Sequence, residues 1–120
     1  MRRLLLLALL INLVTVTLAD AQLKIRGRGD KIHFDPESIP ANFKPSYEIM
    51  NKKCVKCHSM EYTVVSIQSG RAVVTGQPFD KQAVKAYGIK MLRKSTSDMN
   101  RHEIKDVAML LNYLIDECKR

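Results

Sequence analysis

Two thiols and an imidazole stand within one short stretch, Cys54-Val55-Lys56-Cys57-His58. Thiols add across vinyl groups. Two thiols with two residues between them can reach both vinyls of one porphyrin. The imidazole that follows is then placed to coordinate the iron from the same face. C-x-x-C-H is the pattern of that covalent attachment. The expected cofactor is one covalent haem c with its iron. Cys54 and Cys57 would form the thioethers, and His58 would be the proximal ligand.

Other chemistries use the same residue types. A zinc site needs about four ligands. Beyond this stretch the chain offers only Cys118, His33 and His102, at irregular distances. A thioredoxin-like dithiol expects a βαβ setting, and no such alternation is visible. A disulfide between Cys54 and Cys57 stays open from spacing alone.

A haem needs a second axial position filled or left open. Beyond the initiator the methionines are Met50, Met60, Met91, Met99 and Met109. Met50 shares a helix with the motif, and Met60 is too close to His58 to reach the opposite haem face. Met109 falls off the apolar stripe of its helix. Met91 and Met99 remain. Met99 has a structural use before the last helix, so Met91 is the expected distal ligand and Met99 the alternative. His33 reads as an edge histidine and His102 as a solvated one.

The elements that must hold these residues follow from pattern. Pro45 suits a first helical turn. Tyr47, Met50, Cys54 and Cys57 recur at three- and four-residue steps, which predicts a helix over 46–56. Residues 59–75 read ambiguously, as a short strand through Tyr62, Val64 and Val65 or as an irregular wall over the haem edge. Asp80 is an N-cap for a helix through Ala83, Val84, Tyr87, Met91 and Leu92, ending near Lys94. Gly88 lies within it and could let the backbone approach the haem. Asn100 and Glu103 fit a capping box, and Met99 with Ile104 a hydrophobic staple. Ile104, Val107, Ala108, Leu111, Leu114, Ile115 and Cys118 then form one stripe, which expects the helix entering the haem site as its partner. Cys118 reads as a buried hydrophobe, so a monomer is expected rather than a Cys118-linked dimer.

Ahead of the helices, Gly27, Gly29, Pro36, Pro40 and Pro45 break up residues 22–44. Only 31–35 alternates, as a short extended piece. Residues 1–21 combine a basic start at Arg2 and Arg3, an apolar run from Leu4 to Ile11 and the small-x-small site Ala19-Asp20-Ala21. They read as a signal peptide cleaved after Ala21. The expected division is a signal peptide at 1–21, an irregular segment at 22–44 and a cytochrome c domain at 45–120. The expected location is the periplasm, with membrane contact only through redox partners or an uncleaved signal.

The formal charge is +8. An exported haem protein should meet no nucleic acid. Lys52, Lys53, Lys56, Lys85, Lys90, Arg93 and Lys94 serve either solubility or the steering of an acidic redox partner.

Taken together, the haem motif, a methionine some thirty residues later and an amphipathic last helix resemble a small bacterial monohaem cytochrome c of class I type. The likeness runs from about Pro40 to Glu117. Ile39-Pro40, Tyr47 and Cys-x-x-Cys-His-Ser are similar to the start of that group. Met91-Leu92-Arg93-Lys94, Ser97 and the final helix are similar to its end. The resemblance implies an all-α, cytochrome c-like fold, with three or more short helices wrapped around one covalently bound haem. It also implies that Met91, in its Met-x-x-Lys stretch, is the distal ligand. Two family features are absent. No proline follows His58 before Gly76, so what orients its ring is not apparent. Leu110 stands where an aromatic residue is common.

The expected function is periplasmic electron transfer on one His/Met-ligated haem, with redox proteins as partners. No acid, base or nucleophile constellation suggests an enzyme. The alternative is a haem-based gas or redox sensor, or a haem enzyme, with an open distal site. A dithiol redox protein without haem is the third reading.

Overall fold

The structure, a computed structural model, describes residues 23–120. The expected signal peptide and its cleavage site lie outside them. Among the described residues the fold is all-α, with helices α1 (Lys44–Lys53), α2 (Met60–Ser69), α3 (Lys81–Arg93) and α4 (Arg101–Cys118). One small ribbon precedes them, pairing β1 (Ile25–Arg26) antiparallel with β2 (His33–Phe34).

Helix α1 opens with proline in its first turn, where the missing N–H is no loss. It tightens into a 3₁₀ turn at Cys54–Lys56, so the expected helix over 46–56 ends in a different geometry. The larger difference is α2. The tract offered as strand or irregular wall is helical from Met60 to Ser69, and Gly70 ends it in the left-handed conformation at φ 70°. Met60, Val64 and Ile67 recur at helical steps and are all buried. Burial of that stripe overrides the strand preference of the β-branched residues around it.

The two later helices start where the side chains dictate. Asp80 accepts a hydrogen bond from the Ala83 amide at 2.9 Å. Asn100 accepts from the Glu103 amide at 2.9 Å, and Glu103 Oε2 accepts from the Asn100 amide at 3.0 Å, completing the capping box. Helix α4 then packs on both α1 and α3, most extensively on α3. Its inner face is wider than the stripe read from sequence. Leu110, like Leu114, is wholly buried. Cys118 is exposed, not buried as expected, because the last turn runs out past the core. Gly88 serves a different contact from the one expected. A Cβ there would lie 3.1 Å from Ile104 Cγ2, so the glycine lets α3 approach α4.

Residues 23–43 belong to the same core. Phe34 is wholly buried, Ile39 nearly so, and both belong to the one core cluster that draws residues from all four helices. The Tyr47 hydroxyl donates to the Phe34 carbonyl at 2.6 Å, tying this segment to α1. Phe43 stacks on Tyr113 of α4, with ring centroids 4.9 Å apart. Asp35 is buried but matched, with the Arg26 Nε 2.7 Å from its carboxylate. That hydrogen bond holds the Asp35 carboxyl below the usual carboxylate range, against burial, which pushes it up.

Candidate functional site

Between the end of α1, α2, the 70–79 turn and α3 lies a cavity of about 380 Å³. Cys54, Cys57, His58, Met91 and Met99 all line it. The fold thus brings the residues singled out in sequence to one place from three separate stretches. Of the other methionines, Met50 lines the cavity from a buried position. Met60 is buried in α2 facing the core, and Met109 is exposed. His33 and His102 lie elsewhere. His33 Nδ1 sits 2.9 Å from the Lys31 carbonyl, and His102 Nδ1 lies 3.3 Å from the Asp106 carboxylate on the next turn.

The walls are largely apolar. Phe79, Val84 and Tyr87 face Val73 and Val74, with Leu111 of α4 behind. The two valines sit on a tight turn. Ala72 N–H donates to Gln77 O and Gly76 N–H to Ala72 O, both at 2.8 Å. Gly76 takes φ 69°, which a side chain would disfavour. Val74 at the tip is 82% exposed. The sequence marks this turn only through Gly70 and Gly76. Phe79 had no pattern of its own.

His58 is exposed, and its Nδ1 lies 3.2 Å from the Ser59 carbonyl oxygen. A carbonyl can only accept, so this contact suits the neutral tautomer with its proton on Nδ1, which leaves the lone pair on Nε2. Metal-binding histidines use this tautomer. The neighbouring carbonyl thus gives the ring an orienting contact that the sequence did not reveal. Tyr62 lies beside it, with centroids 5.8 Å apart. Burial pushes the Cys54 thiol up to about 11, and the nearby Cys57 adds to this. Dithiol oxidoreductases work with a lowered thiol, so the local chemistry runs against that use.

No protein-family model matches this chain, nor does a curated protein or a solved structure. The physical reading of the site therefore rests on its own geometry. Among the described residues, no group of three or more His, Cys, Asp and Glu side chains could hold a metal ion. No helix among them is long and apolar enough to cross a membrane.

The rim carrying the methionines is densely bonded. Ser97 Oγ lies 2.6 Å from the Met91 carbonyl and 2.8 Å from the Lys94 carbonyl, holding the end of α3 to the turn after it. Asp98 then takes a left-handed conformation at φ 52°, and Met99 beyond it is buried. Lys53, the residue before Cys54, reaches this rim. Its Nζ donates to the Asp98 carbonyl at 2.6 Å and to Glu103 Oε1 at 2.8 Å. The Lys53 hydrogen bond, followed by that from the Asn100 amide, holds the Glu103 carboxyl below its ordinary value. The same contact raises Lys53. None of this clasp is visible in sequence, since its partners lie far apart in the chain. Lys53, Lys90 and Lys94 also line the cavity.

Proposed function

We propose that this chain is an exported electron carrier with one covalent haem, attached through Cys54 and Cys57 and ligated by His58 and Met91. The observation that carries this reading is the convergence of those four residues on one apolar cavity. Its size falls within the range of about 300–1,000 Å³ usual for small-molecule sites. When bound, the haem iron supplies a one-electron Fe(III)/Fe(II) couple.

The chain's own residues have distinct parts. Cys54 and Cys57 would anchor the group, and the contact with the Ser59 carbonyl would orient His58 so that Nε2 could serve as the ligand atom. Phe79, Val84 and Leu111 exclude water from the inner edge. A thioether as second ligand raises the potential and fills the position a substrate would need. Met91 is favoured over Met99 because Met99 is buried ahead of the α4 cap, where the staple needs it. The cytochrome c resemblance points to the same residue. Lys90 and Lys94 beside the cavity suit the steering of an acidic redox partner.

The test is a mass and optical spectrum of the exported protein. Its mass should exceed that of the polypeptide by one haem. The oxidised form should show the weak far-red band of a methionine bound to ferric haem, and Met91→Ala should abolish it. An unchanged band in that variant would transfer the role to Met99. Carbon monoxide binding by the reduced wild type would favour the gas sensor with an open site. Colourless protein with the bare polypeptide mass refutes the proposal.

A further inference from the structure

On the face where α3 meets α4, away from the methionines and the motif, lies a second cavity of about 420 Å³. Its floor is apolar, with Ile104 and Ala108 from α4 against Val84 and Gly88 from α3. Ile89 and Leu92 stand on its edge, 45% and 38% exposed. They are two of the large apolar side chains left partly open to water, three residues apart on α3.

The charge around this groove is of one sign. Lys81, Lys85, Arg101 and Lys105 line it, and no carboxylate does. Helix α3 contains no acidic residue at all. Lys81 is matched by Asp116 at 2.9 Å. Lys85, Arg101 and Lys105 are exposed and have no ion pair among the described residues. On the floor, Asn112 Oδ1 is buried without a hydrogen-bond partner among the described residues. A groove with an apolar base and cations on both flanks suits an occupant with one apolar face and acidic edges.

We infer that the α3–α4 groove docks an acidic amphipathic helix of a protein partner. The groove follows α3 from Lys81 to Leu92, about 17 Å at 1.5 Å per residue, which matches about three turns of a guest helix. Such a helix would set its apolar stripe on Ile89, Leu92 and Ile104, and its carboxylates against Lys85, Arg101 and Lys105. A flat bilayer surface could reach the cations but not the recessed floor. This inference is independent of the haem reading, because the groove shares only Val84 with the first cavity.

The experiment uses the full exported chain, isotopically labelled, titrated with a synthetic acidic peptide of about three helical turns bearing leucines at i, i+3, i+4 and i+7. Amide shifts should centre on Gly88, Ile89, Ile104 and Ala108. A scrambled peptide of equal charge should bind at least about tenfold more weakly. K85E/R101E/K105E should abolish the shifts while circular dichroism and any haem spectrum stay unchanged. Ile89→Ser should weaken binding without altering the charge. Absence of shifts, equal binding of the scrambled peptide, or shifts centred on the first cavity would overturn the inference. So would tighter binding to phosphatidylglycerol vesicles than to the peptide.

Discussion

On one rim of the first cavity, Cys57 and His58 are exposed, the Cys54–Lys56 turn has no side-chain cap, and among the described residues the imidazole bonds to the adjacent carbonyl alone. On the other, Ser97, Asn100, Glu103 and Lys53 knit the end of α3 to the start of α4. The first rim has chemically potent side chains, and it is tied through Lys53 and Lys56 to Asp98 on the second. The second has soft thioethers on a well-tied scaffold. The contrast suits a division in which one side is held by bonds to a cofactor, while the other is preorganised by the protein.

The largest break in that comparison comes from removing the anchors. C54S/C57S should leave no covalently bound haem, read by mass spectrometry. It should also lower the thermal midpoint well below that of the wild type. Next is the pair Met91→Ala and Met99→Ala. The first should lose the far-red band and lower the reduction potential. The second should keep the band but melt earlier, by about 2–5 kcal/mol of stability in urea titration.

A sharper test of the tied rim is its pH dependence. The Glu103 carboxyl is depressed by Lys53. Its contribution is therefore present above the ordinary carboxylate value and lost as pH falls through the depressed one. The urea midpoint should drop in acid, and Lys53→Met should flatten part of that drop. Asp35→Asn should flatten another part, since Arg26 depresses its carboxyl in the same direction. The smallest effect is expected from Asn100→Ala, about 1 kcal/mol by the same titration, because it removes one cap from an exposed helix end.

Residues near one another in the chain were legible. The Asp80 cap and the Asn100–Glu103 box each need only a few neighbouring positions, and each stands where the pattern placed it. What escaped depends on distant partners. Helix α2 is rich in residues that favour strands, and only the core it faces makes Met60, Val64 and Ile67 a helical stripe. Lys53 reads as one more surface lysine until Glu103 is brought beside it. The turn carrying Val73 and Val74 has no signal beyond its glycines. Cys118 continued a stripe by spacing, yet the core ends before it. In the candidate site, residue identity was readable, but support for the residues was not.

The bond from the Tyr47 hydroxyl to the Phe34 carbonyl bears on where this domain can be cut. A fragment starting at Pro40 would take the wholly buried Phe34 and its neighbour Ile39 out of the core and remove the carbonyl to which Tyr47 donates. A unit that keeps this core intact starts ahead of Ile25, where the ribbon that carries Phe34 begins, and so is longer than the stretch that bears the motif.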